Sequence, residues 1–348
     1  MNSFIDSVAT LDEQAKAMAM QRQNILTKPP GALGRMEDIA VHLAALQAVE
    51  RPVINNVWIS VFAADHGIAE EAVSAFPQTV TAEMIKNFAR GGAAINVLAK
   101  QLQASLEVIN LGTIMPVNIE GVRSEIIAKG TKNFAQQSAM TSEQCQQAME
   151  SGRDSVRRAL QHNAHIYIGG EMGIANTTSA TAIASVLLDI KPEKLAGPGT
   201  GLDANGVSHK ARVIDQAILH HIRNLHTPLD CLIKLGGFEI AALTGAYLSC
   251  AHKGLPVMID GFISTTAALL AEHMHPGCKQ WFFFSHNSAE PGHEKMLDSL
   301  EAKPLFDLGM RLGEGSGAAT AIPLMQQACA LHNNMATFAE ANVSEQSA

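Results

Sequence analysis

The sequence has little to offer several kinds of partner. Only 17% of its 348 residues are charged, and 25 lysines and arginines face 33 aspartates and glutamates, for a formal net charge of −8. The basic residues stand singly, whereas proteins that grip phosphate backbones gather them on one face, so nucleic acid is not expected as a partner. No uncharged apolar run reaches the roughly 20 residues a membrane-spanning helix needs. The first twenty residues carry two aspartates and a glutamate and lack a basic start followed by an apolar run, which reads as no secretory signal. There is no Cys-x-x-Cys pair. The five cysteines (Cys145, Cys231, Cys250, Cys278 and Cys329) lie far apart, the pattern of reduced core thiols in a cytoplasmic protein. None of the fourteen histidines forms His-Glu-x-x-His. The tightest groupings, His162/His165, His220/His221 and His273/His275, form no recognised metal-ligand motif with a cysteine or acid, so neither a metal site nor a metal cofactor is expected.

What is there is a chain 47% hydrophobic, enough for a full core in one large domain with a smaller appendage. Six apolar runs have strand length: 57–65, 105–112, 164–171, 231–237, 254–261 and 280–288. Each is continuous rather than alternating, as in strands covered on both faces of a parallel sheet. Ala-rich helical stretches separate them, so the expected fold class is α/β, a Rossmann-like, doubly wound, mostly parallel sheet. The ends differ: 8–25, 35–50 and 316–332 read as helices, and Pro29 and Pro30 force a turn between the first two. The expected division is a small helical domain from 1–50 and 305–348, with a frayed polar tail, beside a catalytic α/β domain at 51–304.

In such sheets ligands bind outside the carboxyl ends of the strands. The residues there are small or polar: Asp65-His66-Gly67, Gly112, Gly170-Glu171, Gly236-Gly237, Asp260-Gly261 and Ser285 to Ser288. For any one of them a plain turn former is the commoner reading; six strand ends sharing the property favour a site. After Glu171, Asn176-Thr177-Thr178 opens a helix whose N-terminal amides suit an anion. A second glycine loop, AGPGTGLD at 196–203, precedes Lys210, and together they read as a phosphate cradle. It lacks the Gly-x-x-x-x-Gly-Lys-Ser/Thr order of nucleotide triphosphatases.

Near the C-terminus RLGEGSGAAT (311–320) sets one carboxylate, Glu314, among glycines. Gly313, Gly315 and Ala318 satisfy a loose dinucleotide pattern, but that fingerprint follows the first strand of a βαβ unit, and the first strand here ends AADHGIAEE. A nicotinamide-dependent dehydrogenase is therefore set aside. A sensor that binds a nucleotide without reacting remains as the rival to an enzyme. The glycines leave Glu314 free to approach a ligand closely.

Seven blocks carry a resemblance: TKPPGALGRME (27–37), AADHGIAEEAVSAFPQTVT (63–81), GGEMGIANTTSATA (169–182), KLGGFEIAALTGAYL (234–248), LPVMIDGFISTTAALLA (255–271), SHNSAEPGHEKML (285–297) and RLGEGSGAA (311–319). In order and over nearly the whole chain, they resemble the nicotinate-nucleotide–dimethylbenzimidazole phosphoribosyltransferases, which make the lower-ligand nucleotide of cobalamin. The resemblance implies transfer of 5-phosphoribose from nicotinate mononucleotide to 5,6-dimethylbenzimidazole, giving α-ribazole 5′-phosphate and nicotinate with inversion at C1′. Adenine or a phenol is the alternative acceptor. It implies Glu314 as catalytic base and Glu171 as a second catalytic acid that orients the ribose or faces charge at C1′. Phe76, Met84, Met172, Ile174 and Leu312 would hold the base, with Phe76 standing where some members carry Ser and Met84 where some carry Gln. Gly173, Gly199, Gly201, Lys210 and Ser288 would hold the phosphate. No cofactor and a homodimer are implied as well.

Overall fold

The computed structural model describes residues 6–344. Two N-terminal helices, α1 (Glu13–Ile25) and α2 (Arg35–Gln47), precede the sheet, and the Pro29-Pro30 segment between them turns as expected. Then follow β1 (Val57–Ala64), α3 (Thr79–Arg90), α4 (Ala94–Leu102), β2 (Ser105–Gly112), β3 (Val122–Ser124), α5 (Ser142–Gln161), β4 (Ile166–Met172), α6 (Asn176–Leu188) and α7 (Ala204–His221). The chain continues through α8 (Pro228–Leu235), α9 (Phe238–Lys253), β5 (Val257–Ile259), α10 (Phe262–Met274), β6 (Phe282–Phe284), α11 (Gly292–Leu300), α12 (Ser316–Asn334) and a last turn, α13 (Phe338–Ala341).

The six strands lie in the order β3-β2-β1-β4-β5-β6, and every neighbouring pair is parallel. The order reverses between β1 and β4, the doubly wound arrangement the apolar runs predicted. All eight residues of β1 are buried, because α9 packs on β1 and β4 while α3 packs on β1, α4 on β2 and α12 on β4 and β5. A continuous apolar strand is what such double cover demands.

One expected strand is a helix. The run at 231–237 lies in α8, which Thr227 caps by accepting from the amide of Asp230 at 3.1 Å, with Pro228 in the first turn. Proline there has no amide to lose and its fixed φ suits the helix, so Pro228 starts what the apolar run alone leaves undecided. Conversely β3 was not foreseen: it is three residues long and partly exposed, without an apolar signature.

Helices from both ends pack together. The Arg22 side chain donates to the carbonyl of His332 at 2.7 Å, Gln23 pairs with the His332 ring at 2.8 Å, and Leu26 bridges to Thr337. The same α12 lies against the sheet and α4, so helical unit and sheet share one continuous apolar core, from Leu43 on α2 to Cys329 on α12. The start of the polar tail forms α13, and residues 345–348 lie outside the described part, as do residues 1–5 of the leader reading. Among the described residues no helix is long and apolar enough to cross a membrane.

Candidate active site

A cavity of about 530 Å³ opens beyond the carboxyl ends of β4, β5 and β6, within the usual size for a small-molecule site. Asp65, His66, Gly67 and Gly112, at the ends of β1 and β2, are not on its wall. Asp65 instead accepts from the amide of Ile114 at 2.8 Å, the turn-forming duty that competed with function in the sequence. Gly236 and Gly237 link two helices rather than end a strand.

The two glutamates meet because their loops interlock. Glu171 is at the end of β4, in register with Phe62 of β1. Gly313, Glu314 and Gly315 follow one another in the left-handed region at φ 88°, 64° and 84°. A Cβ on Gly170 would come 2.2 Å from the Glu314 carbonyl oxygen, and one on Gly313 would come 2.3 Å from Oε1 of Glu171. Side chains at either position would drive the loops apart. The Glu314 loop is fastened from below by Asp260 at the end of β5, whose carboxylate accepts from Gly315 N at 3.1 Å and Ala318 N at 2.9 Å. This also satisfies amides at the start of α12 that no local side chain caps.

Both glutamates are 6% exposed and line the cavity. Burial pushes the Glu171 carboxyl up to about 8, helped by the nearby carboxylates of Glu239, Asp260 and Glu314 and opposed by a hydrogen bond from Asn176. Glu171 therefore holds a proton at neutral pH in the empty site and can donate a hydrogen bond. Burial also raises Glu314, against an opposing hydrogen bond from Ile95 N at 3.2 Å at the start of α4. A raised carboxylate accepts a proton more readily than one in water.

Phe76, Met84, Met172, Ile174 and Leu312 all line this cavity, joined by Val80, Phe262 and Ile263, which the sequence reading did not single out. Ile174 is buried, whereas Phe76 and Leu312 stand half-exposed. Gly173, Gly199 and Ser288 line it as well, with Thr177, the second residue of α6. The Ser288 amide donates to Nδ1 of His293 at 2.8 Å; burial lowers that histidine to about 3, so it is neutral and steadies the serine without adding charge. Lys210 and Gly201 are not on the wall. Lys210 is fully buried behind it, donating to Thr177 Oγ1 at 2.7 Å and to the Gly197 carbonyl at 3.3 Å, and a Cβ on Gly199 would be 3.5 Å from its ammonium nitrogen. Burial lowers its pKa to about 8 while Glu290 holds it up. Gly201, with no atom within 4 Å of a would-be Cβ, faces open space.

Two further polar residues line the cavity unforeseen. Glu290 accepts from the amide of Gly199 at 3.0 Å, and Arg311 donates to the Gly199 carbonyl at 3.0 Å. Glu290 follows β6 inside Ala-Glu-Pro-Gly, an acid among turn formers like Glu314, and that parallel was the available signal.

A family model described as Phosphoribosyltransferase matches residues 8–343. The chain belongs to this family. It is 56% identical to the nicotinate-nucleotide–dimethylbenzimidazole phosphoribosyltransferase of Azotobacter vinelandii over 98% of both chains. It is 54% identical to the enzyme of the same name from Pseudomonas aeruginosa (strain PAO1), over 99% of this chain and 98% of that one. Among solved structures, CobT from Thermus thermophilus superimposes with a TM-score of 0.92 at 41% identity, covering 96% of this chain and 100% of that one. The α/β fold and the phosphoribosyltransferase class thus stand together.

Proposed function

We propose that the enzyme transfers the 5-phosphoribosyl group of nicotinate mononucleotide to 5,6-dimethylbenzimidazole, releasing nicotinate and α-ribazole 5′-phosphate for the nucleotide loop of cobalamin. The observation that carries this reading is that one cavity gathers apolar side chains, glycines and a serine backed by a buried lysine, and two buried glutamates. The names of the relatives supply the substrates.

One ring nitrogen of the base attacks C1′ as the bond from C1′ to the pyridinium nitrogen breaks. The electron pair of that bond leaves with nicotinate, and the proton on the second ring nitrogen passes to Glu314. Glu171 hydrogen-bonds the ribose; protonated before the nucleotide binds, it is favoured by the cationic pyridinium in its ionised form, which accepts from a ribose hydroxyl. Phe76, Met84, Met172, Ile174 and Leu312 grip the flat bicycle. Gly173, Gly199 and Ser288 face the phosphate, and Lys210 acts from behind Thr177; Gly201 keeps the loop's shape. An apolar slot separates similar rings weakly, so adenine and phenols belong to the same proposal as slower acceptors.

The division into a helical unit (1–50 and 305–348) and a sheet unit (51–304), a cytoplasmic location and a homodimer complete the reading. The packing of α1 and α2 with α12 supports the first, and exposed Phe76 and Leu312, which line the cavity, support a partner surface, to be checked by light scattering. The test of function is direct. Incubation with both substrates should yield free nicotinate and a new nucleotide by chromatography; a protein that binds the nucleotide and leaves it intact would be a sensor instead.

A further inference from the structure

The amide of Gly199, expected to face the nucleotide phosphate, is already taken by a carboxylate. Glu290 is 5% exposed, lines the cavity, and accepts from Gly199 N at 3.0 Å through Oε1. Its other oxygen, Oε2, is buried without a hydrogen-bond partner, and a Cβ on Gly197 would come 2.1 Å from it. Gly197 is also the residue whose carbonyl accepts from Lys210. A buried carboxylate with an unused oxygen, beside a buried ammonium and a glycine loop, stands where an anionic ligand would stand.

We propose that Glu290 is a built-in stand-in for the substrate phosphate, and that binding of the nucleotide is accompanied by uptake of one proton onto Glu290. The proposal rests on the assignment of this part of the cavity to phosphate. In the empty enzyme the carboxylate offsets Lys210 and keeps the 197–201 loop in shape. A phosphate dianion arriving there meets a like charge at close range in a poorly solvated site, and two such neighbours do not both stay ionised. In water the phosphate dianion, with a second ionisation near 6, is the more basic group; the amides and cations of the cradle favour that dianion while burial disfavours the Glu290 carboxylate, so the proposal places the proton on Glu290. The charged groups facing Glu290 are Lys210 from α7 and Arg311 from the segment before α12, while His293 on α11 stays neutral. Burial already raises Glu290 toward its protonated form despite those two cations. Protonated, the carboxyl is a neutral neighbour of the phosphate rather than a repelling charge.

The proposal makes nucleotide affinity depend on pH through one residue. Calorimetric titration of the wild type at pH 7, in two buffers of different ionisation enthalpy, should show most of one proton more taken up per site with nicotinate mononucleotide than with nicotinate riboside, which brings the same pyridinium beside Glu171 but lacks the phosphate. Lys210, held near 8, adds only about a tenth of a proton at that pH. In Glu290→Gln that difference between the two ligands should vanish but for the Lys210 fraction. In steady-state assays the ratio of nucleotide KM in wild type to that in E290Q should rise up to about tenfold between pH 6.5 and 7.5, whereas a merely structural role would shift KM and kcat by a pH-independent factor. No such difference between mononucleotide and riboside in the wild type, or an equal difference in E290Q, would overturn the stand-in role while leaving the phosphate site intact. Equal affinity of the wild type for mononucleotide and riboside would remove the phosphate assignment itself, and the proposal with it.

Discussion

Glu314 has a structural duty as well as the proposed chemical one, and the two can be separated by a single atom. Its Oε2 accepts from the amide of Ile95, where α4 begins at Ala93 with no side-chain cap of its own. In Glu314→Gln the amide oxygen can still accept that hydrogen bond but the group no longer takes up a proton. Turnover should therefore fall about 10²- to 10⁴-fold while melting temperature and nucleotide affinity stay near wild type; kcat within a few-fold of wild type would remove Glu314 from the base role. Glu171 makes a prediction about stability. The unfolded chain releases this proton near 4.5 and the native state keeps it to about 8, so the carboxyl costs the native state more stability as pH rises through that window. Glu171→Gln should gain on the wild type by up to about 1.4 kcal/mol per pH unit there. Urea titrations at pH 5 and pH 8 measure it, and a difference that does not grow with pH would refute the raised value.

At the scale of elements, α12 depends on a residue from another part of the chain. Asp260 supplies both acceptors for Gly315 N and Ala318 N, and an Asn there keeps one acceptor and turns its amide hydrogens toward the other. Asp260→Asn should lower stability by about 1–3 kcal/mol and reduce kcat more than it changes either KM, because the Glu314 loop loosens. Unaltered kcat would show that the loop holds its shape unaided. Elements also mark how much could be read in advance. The two long strands β1 and β2, and β4, were legible because double cover leaves an unbroken apolar run. Segment 231–237 was misread because its apolar length fits strand or helix alike, and the deciding signal, Thr227-Pro228, lies ahead of the run. In the site, Glu171 and Glu314 were legible as acids among glycines. Glu290 and Arg311 were not, because their meaning depends on a contact with Gly199 across 91 and 112 residues of chain.

For the whole molecule, the cavity's position at β4, β5 and β6 sets the geometry of attack. In the proposed mechanism the attacking nitrogen and the departing nicotinate occupy opposite faces of C1′ within this one chamber, as an in-line displacement requires. A single displacement should convert the β-nucleotide wholly to an α-product, read from the anomeric proton coupling by NMR. A nucleophilic role for either glutamate would return the β-anomer after two inversions. The leaving group is a neutral ring nitrogen with no pyrophosphate charge to offset, so the rate should be unchanged after exhaustive treatment with EDTA; loss of activity restored by a divalent cation would refute that mechanism.

The exposed rim has a consequence for how such an enzyme changes over generations. Phe76 and Leu312 are 50% and 60% exposed, and neither takes part in the glycine interlock between Glu171 and Glu314. Substitutions at surface positions of this kind usually move stability by no more than about 0.5 kcal/mol. On the proposed assignment, choice of acceptor base can therefore drift one rim residue at a time with the fold intact, whereas a side chain at Gly170 would meet the backbone of the Glu314 loop.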